Sequence, residues 1–242
     1  MPNLAKIYEH TCQISQKTQR KHPKARVVSY IGVIPDYVPP ILYDKTEITV
    51  VNRDTILTAL DLIEEKLNPL VLNMASDRNP GGGVAKGARA QEEDLFRRTN
   101  YCVHLNRYAV KYPLRPLQIV YTPNVAVIKN ENYNLLENPE HLSFIACAGI
   151  RNHSGKPLSV ENLDLLRNKI RVIFQTAVYY KHDSLVLGAL GCGAFGCSPE
   201  EVAPIFNEIS HEFQRTFKKI VYAVLSRNDR NFDVFNDKIY RD

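Results

Sequence analysis

The chain has 242 residues, of which 44% are hydrophobic and 24% are charged. These proportions are ordinary for a folded globular protein and do not indicate a disordered or fibrous class. Lys and Arg outnumber Asp and Glu by 31 to 26, which gives a formal charge of +5 and mildly favours an anionic partner. Because the basic residues are dispersed, a nucleic-acid-binding surface with clustered cations is not indicated.

The cysteine pattern and the absence of long apolar runs indicate in which cellular compartment the protein is expected. The five cysteines are an odd number and widely spread, without the short paired spacing of a zinc site or the density of a disulfide scaffold. No apolar run approaches the roughly 20 residues that cross a bilayer, and the N-terminus lacks an apolar signal core. We expect a cytoplasmic protein, or a nuclear one if the source is eukaryotic, that does not engage a membrane.

The first quarter of the chain predicts one helix and two strands. Leu4, Ile7, Tyr8 and Ile14 lie at roughly helical spacing within Met1–Arg20 and predict an amphipathic helix. The β-rich runs that follow are Val27–Ile31 and Glu47–Val51, with a Pro-rich connection through Pro35, Pro39 and Pro40 between them. This connection is expected to be a surface loop.

The middle of the chain continues the alternation of helices and strands. Asp54 is a good N-cap, and the apolar residues from Ile56 to Leu67 form the stripe of a helix that lies on a sheet. The segments that follow are predicted as a strand at Leu70–Met74, a helix from Arg89 to about Asn106, and strands at Gln118–Tyr121 and Leu142–Cys147.

The last third of the chain predicts two further helices and two strands. The predicted segments are a helix over Val160–Ala177, a buried strand at Leu185–Leu190, a helix that begins at Pro199 and a strand at Lys219–Leu225. Such alternation indicates an α/β fold, a three-layer α/β/α sandwich with a mixed, mostly parallel central sheet. We predict a single domain over 1–242, with an N-terminal helix and Pro-rich extension at 1–44 and a core at 45–225.

Two glycine-rich loops follow predicted strands, where ligands bind in sheets of this kind. They are Asn79–Gly83, after the strand that ends near Met74, and Gly191–Gly196, after the strand that ends near Leu190. Three consecutive glycines permit positive φ and a close approach of backbone N–H groups to a phosphate oxygen. Taken alone, Pro-Gly-Gly-Gly is better explained as a tight connection, and neither loop matches the P-loop or the dinucleotide fingerprint.

Glu92, Glu93 and Asp94 fall in the first turn of the helix after the glycines. The helix dipole favours acidic side chains at this place, so they need no catalytic explanation. Neighbouring helical positions point about 100° apart, so Glu92 and Glu93 cannot do the same job. One could orient a sugar while the other exchanges a proton.

The second glycine loop contains one large ring, that of Phe195. It either anchors the loop in the core or stacks against and positions a sugar. The neighbouring Cys192 and Cys197 are interpreted as small buried residues rather than nucleophiles, because no histidine lies nearby in sequence. The seven histidines are scattered without a metal-ligand spacing, so we predict no catalytic metal.

Together these segments resemble the microbial-type poly(ADP-ribose) glycohydrolases, a branch of the macrodomains. The resemblance rests on Val71–Ser76, on Asn79–Gly83 and, after an interval of seven residues, on Gln91–Glu93. The family signature is three glycines followed after about six to eight residues by Gln-Glu-Glu. Val50–Thr55 resembles the adenine-side strand and Gly188–Pro199 the second phosphate loop, so the resemblance covers roughly residues 45 to 225.

The resemblance implies a role for each matching residue. Glu93 is the catalytic glutamate and Glu92 helps to hold the reacting ribose. Asp54 meets the adenine, Phe195 orients the distal ribose, and Asn73 supports the loop or contacts that sugar. The residues expected to bind ADP-ribose are Asp54, Asn73, Gly81, Gly82, Gly83, Val84, Gln91, Gly191, Gly193, Ala194, Phe195 and Gly196.

The implied activity is that of an ADP-ribosyl glycohydrolase, which releases ADP-ribose by hydrolysing the ribose glycosidic bond. The substrate is poly(ADP-ribose) or an ADP-ribosylated acceptor on a protein or nucleic acid. Glu93 acts as general acid and base, no metal or redox cofactor is needed, and the protein is expected to be a monomer. The alternative is a non-catalytic ADP-ribose reader, which needs the same glycine loops but no acid.

Overall fold

The computed structural model describes residues 2–17, 26–29, 36–226 and 229–239. In chain order the elements are α1 (Leu4–Lys17), β1 (Arg26–Ser29), β2 (Glu47–Val51), α2 (Thr55–Glu64), β3 (Pro69–Met74), α3 (Gln91–Arg98), α4 (Tyr101–His104), β4 (Gln118–Lys129), β5 (Leu135–Cys147), α5 (Val160–Tyr179), β6 (Ser184–Leu187), α6 (Pro199–Glu212), β7 (Lys219–Ala223) and α7 (Asn231–Lys238).

The chain divides into two compact units. The first contains Met1–Val28 and Asn73–Ala148, and the second contains Ser29–Leu72 and Gly149–Asp242. Strand β3 begins in the second unit and ends in the first. The single-domain organisation stays a prediction.

The second unit contains four parallel strands in the order β3-β6-β7-β2. Most of their residues are apolar, and every residue of β6 is buried, as predicted for a strand covered on both faces. Parallel neighbours need long crossovers, which the helices α2, α5 and α6 of this unit supply. The predictions for β2, α2, α5, α6 and β7 are confirmed within a few residues at their ends.

The first unit contains a long antiparallel pair, β4 and β5, with β1 on the other side of β4. We predicted much shorter strands here. Residues near the start of β5 are polar and exposed, so the alternation of apolar and polar residues that predicts a strand is missing there. The turn between the strands is closed by Asn130, whose Oδ1 accepts from the backbone N–H groups of Asn132 and Asn134 at 3.0 Å each.

The single helix predicted from Arg89 to Asn106 is wrong, because the chain leaves helical geometry at Thr99 and Asn100, between α3 and α4. Asn100 instead pairs with β4. Its backbone N–H donates to the carbonyl of Ala126 at 3.0 Å, and its Oδ1 accepts from the Ala126 N–H at 2.8 Å. These two bonds replace the helical ones and bind the end of α3 to the sheet.

The predicted N-terminal helix is confirmed as α1, which binds to the rest of the first unit through buried polar groups. The Thr11 hydroxyl lies 2.6 Å from the carbonyl of Arg97 in α3. Lys129 of β4 donates to the Thr11 hydroxyl at 2.7 Å and to the Ile7 carbonyl at 3.1 Å. Helix α7 was not predicted, and Tyr30, Ile31 and Pro35 lie outside the described residues.

Among the residues that the structure describes, no helix is long and apolar enough to span a bilayer.

Candidate active site

The first glycine loop leads from the end of β3 into α3. Gly81 and Gly82 have φ values of 74° and 56°, the left-handed region that glycine adopts without a steric penalty. The N–H of Val84 donates to the carbonyl of Gly81 at 3.0 Å and opens a short 3₁₀ turn, Val84–Lys86. The loop is therefore a tight turn, as the interpretation of Pro-Gly-Gly-Gly as a tight connection requires.

The first two glycines of the turn also lie against side chains of α3. A Cβ at Gly81 would lie 2.8 Å from Cδ1 of Phe96, a buried ring of α3. A Cβ at Gly82 would lie 2.5 Å from Oε1 of Glu93 and 3.1 Å from Oε2 of Glu92. The contacts with Phe96 and Glu93 are shorter than real Cβ contacts, so the absence of side chains makes room for the ring and for the Glu93 carboxyl group, and the contact with Glu92 would be tight.

Glu92 is buried and its carboxyl group faces backbone donors. Oε2 accepts from the Ser76 N–H at 2.7 Å, and Oε1 accepts from the Gly81 N–H at 3.1 Å and from the Asn73 amide at 3.5 Å. Burial raises the pKa of Glu92 from 4.5 to about 8, and the backbone donors at Ser76 and Gly81 oppose that rise. Glu92 is therefore mostly protonated at neutral pH.

Glu93 is also buried, but its carboxyl group has different partners. Oε1 accepts from the Gly83 N–H at 2.9 Å and Oε2 from the Ala90 N–H at 3.1 Å. Ala90 is the N-cap of α3 and has no side-chain acceptor of its own. Glu93 therefore caps the helix and fixes the glycine turn at once, and the expected divergence of the two glutamates is observed.

Gln91 and Asn73 support this arrangement. Oε1 of Gln91 accepts from the Met74 N–H at 2.9 Å and holds the end of β3. Asn73 is fully buried and directs its amide at Glu92. The side chain of Val84 is also buried. The role that the resemblance implied for Asn73, support of the loop or contact with the distal ribose, stays a prediction.

Sequence reasoning missed two buried tyrosines in this region. Tyr101 is fully buried, and burial, with the nearby Glu92 carboxyl group, raises the pKa of its hydroxyl. The pKa of Tyr112 is likewise raised, first by burial and then by Glu92. Neither residue lies in a motif, and only the tertiary contacts bring them to the glutamate.

The remaining predicted residues belong to the second unit. Asp54 is the N-cap of α2, as predicted, and its Oδ1 accepts from the Leu57 N–H at 2.9 Å. The second glycine loop follows β6 and precedes α6. Gly191 has φ of 83° and Gly196 has φ of 76°, so the loop turns at both of its ends.

The backbone of the second loop is packed at its ends and open in its middle. A Cβ on Gly149 would lie 2.9 Å from Cα of Gly191, and one on Gly196 would collide with the carbonyl oxygen of Asn152. A Cβ on Gly193 would meet nothing within 4 Å. Gly193 and Ala194 are exposed, so a ligand has access to the backbone there.

Phe195 is half-buried and is not among the buried residues of the core, which favours the interpretation that it positions a sugar. Its ring lies under the guanidinium group of Arg151, at 4.3 Å from Cζ to the ring centroid. Cys197 is buried and Cys192 half-buried, and burial raises the pKa of both thiols. This agrees with their interpretation as unreactive residues.

The predicted residues thus form two groups. Asn73, Gly81–Val84 and Gln91–Glu93 lie in the first unit, and Asp54 and Gly191–Gly196 lie in the second. Within the described ranges, no three His, Cys, Asp or Glu side chains lie close enough to hold a metal ion.

Comparison with known families and structures identifies what the chain resembles. The sequence model of the family described as microbial-type PARG, catalytic domain, matches residues 5–130. The match begins inside α1, before residues 45 to 225, over which the resemblance was expected. No curated protein matches the sequence.

Solved structures match nearly the whole chain. The poly(ADP-ribose) glycohydrolase of Thermomonospora curvata, bound to the inhibitor ADP-HPD, is 25% identical with a TM-score of 0.80, over 96% of this chain and 97% of that one. The poly(ADP-ribose) glycohydrolase of Deinococcus radiodurans in complex with ADP-ribose is 25% identical with a TM-score of 0.76, over 98% and 97%. The predicted mixed α/β, macrodomain-like fold is confirmed.

Proposed function

This chain belongs to the microbial-type poly(ADP-ribose) glycohydrolase family and is an ADP-ribosyl glycohydrolase, and we propose that Glu93 is its general acid and base. The observation that carries the proposal is the bond from the Gly83 N–H to Oε1 of Glu93, at 2.9 Å. It holds a proton-exchanging carboxyl group against the glycine turn, where a phosphate-linked ribose has access to the backbone.

The reaction is hydrolysis at the anomeric carbon of an ADP-ribose unit. The bond from this carbon to the leaving oxygen breaks while Glu93 gives its proton to that oxygen, and an oxocarbenium-like ribose forms. Water then bonds to the anomeric carbon and returns a proton to Glu93. The substrate diphosphate helps to place the water.

Glu92 has a different task in this proposal. Its carboxyl group is mostly neutral at pH 7, because burial raises its pKa to about 8. A neutral neighbour imposes no like-charge repulsion on Glu93. Glu92 and Asn73 hold the reacting ribose, and the hydrogen bonds that Glu92 accepts from Ser76, Gly81 and Asn73 fix its carboxyl group in place.

The binding roles follow the resemblance, one residue at a time. We propose that the backbones of Gly81–Val84 and of Gly191–Gly196 each meet the diphosphate. Asp54 contacts the adenine, and Phe195 orients the distal ribose. Gln91 contributes by holding the end of β3 through the Met74 N–H.

The test is the Glu93→Gln variant. We expect it to bind ADP-ribose and to release none from poly(ADP-ribose), because an amide keeps the shape of the side chain but cannot exchange the proton. Binding is measured by calorimetry and turnover by free ADP-ribose. Glu93→Asp, which keeps an acid, should retain more turnover than Glu93→Gln. Full activity of Glu93→Gln would contradict the assignment.

The acceptor, the compartment and the oligomeric state are parts of the proposal that need their own measurements. Purified protein is incubated with polymer, with mono-modified protein and with modified nucleic acid, and released ADP-ribose identifies the acceptor. We propose a cytoplasmic protein, which the five free cysteines support. We propose a monomer, because one chain supplies both glycine loops and both glutamates, and sedimentation velocity tests it.

A further inference from the structure

Hydrogen bonds join the backbone of the segment 150–152 to the second glycine loop. The Asn152 N–H donates to the carbonyl of Phe195 at 2.6 Å. The Cys197 thiol donates to the carbonyl of Ile150 at 3.1 Å. Gly196, with φ of 76°, lies so close to the Asn152 carbonyl that no side chain fits. The backbone on both sides of Arg151 is therefore fixed relative to Phe195.

The side chains of Arg151 and Phe195 meet above this fixed backbone. The guanidinium carbon lies 4.3 Å from the centroid of the phenyl ring, well inside the roughly 6 Å at which a cation and a ring attract each other. Arg151 is exposed and Phe195 is half-buried. Without the guanidinium group, a ring with this much access to solvent is free to occupy other rotamers.

We propose that Arg151 is a positioning residue, which holds the Phe195 ring in the orientation that places the distal ribose for hydrolysis. The inference rests on the proposed function of Phe195. Arg151 acts through the ring and touches no reacting atom, so its loss should lower kcat more than it weakens ADP-ribose binding. A planar guanidinium group covers a ring face, which the compact ammonium group of lysine does only in part.

The experiment is a double-mutant cycle with Arg151→Ala, Phe195→Ala and the double variant, assayed for release of ADP-ribose from poly(ADP-ribose). We expect Arg151→Ala to lower kcat roughly two- to fivefold, as an exposed cation–π contact allows, with the Kd for ADP-ribose unchanged. Arg151→Lys should recover part of the loss. In the Phe195→Ala background, Arg151→Ala should have no further effect.

The control variant is Lys218→Ala. It removes an exposed cation from another ring of the same unit, that of Tyr43 at 5.7 Å, and belongs to neither glycine loop. We expect its kcat to equal that of the wild type. An equal loss in this variant would overturn the inference, since it would reveal a general effect of charge.

The outcomes separate this inference from the function on which it rests. If Phe195→Ala lowers turnover while Arg151→Ala does not, the inference is overturned and the role of Phe195 survives. Additive losses in the double variant overturn the inference in the same way, because the arginine would then act independently of the ring. If Phe195→Ala has full turnover, the proposed role of Phe195 fails, and the role of Arg151 fails with it.

Discussion

Glu92 and Glu93 are consecutive residues of α3, yet their carboxyl groups have separate hydrogen-bond partners. Glu92 faces Ser76, Gly81 and Asn73, and Glu93 faces the N–H groups at Gly83 and at the N-cap of its own helix. The helix-start explanation of the acidic residues is therefore correct for Glu93, and it does not compete with a catalytic role. The same carboxyl group can cap the helix and exchange a proton.

The raised pKa of Glu92 predicts a pH dependence of stability. Its pKa rises from 4.5 to about 8 on folding, so the folded state binds this proton more tightly than the unfolded state. The stabilisation is fully present below pH 4.5 and is lost as the pH rises through about 8. We expect Glu92→Gln to remove this loss, which amounts to at most about 1.4 kcal/mol per pH unit.

Chemical denaturation at several pH values between 5 and 8 measures the effect. Glu140→Gln, which removes an exposed carboxyl group of β5, is the control and should keep the wild-type slope. Parallel pH profiles for the wild type and Glu92→Gln would show that Glu92 does not hold the proton.

At the scale of elements, the second glycine loop offers a matched pair of substitutions. Gly193→Ala should leave the unfolding temperature unchanged, because its Cβ would meet open space. It should weaken ADP-ribose binding roughly tenfold, since a methyl group would separate the backbone from the diphosphate. Calorimetric binding and thermal unfolding measure the two effects. Unchanged affinity would place the diphosphate away from Gly193.

Gly196→Ala is the counterpart, and it should lower the unfolding temperature. Its φ of 76° and the adjacent Asn152 carbonyl leave no place for a side chain. If Gly196→Ala were as stable as Gly193→Ala, the loop backbone would differ from the one described.

The hydrogen bonds that attach α1 to the first unit predict a further effect, on the free energy of unfolding. The Thr11 hydroxyl is buried between Lys129 and the carbonyl of Arg97. Thr11→Val keeps the shape and removes both bonds, so we expect a loss of about 1–3 kcal/mol in the free energy of unfolding. Denaturant unfolding measures it.

Thr176→Val is the matched control for this substitution. Thr176 is also buried, but its hydroxyl bonds only the Val172 carbonyl of its own helix, at 2.6 Å, among the contacts described. We expect this variant to lose less than about 1 kcal/mol. Equal losses would mean that the bonds of Thr11 to Lys129 and Arg97 add nothing to the attachment of α1.

At the scale of the whole molecule, we expect turnover to be independent of divalent metal. The proposed chemistry exchanges a proton at a carboxyl group and requires no Lewis acid. Release of ADP-ribose should therefore proceed at the same rate after exhaustive treatment with a chelator. A rate that falls with chelator and returns with added metal would contradict the mechanism.

The sequence by itself determined the fold class, most of the elements and the family. These follow from local patterns, such as the apolar stripe of α2, the buried run of β6 and the interval from the three glycines to Gln91–Glu93. They are legible because periodicity and motif spacing are properties of adjacent residues. The long hairpin β4–β5 and the break at Asn100 were missed, because pairing across strands decided them.

Only the tertiary structure decided what the glycines and glutamates do to one another. The sequence predicted that Gly81–Gly83 lie near a phosphate, and the structure adds that a side chain at Gly82 would collide with the Glu93 carboxyl group in its present position. The raised pKa of Glu92 depends on burial, which no spacing encodes. The ring of Phe195 has a partner in Arg151, 44 residues earlier in the chain, because folding brings together groups that the sequence keeps apart.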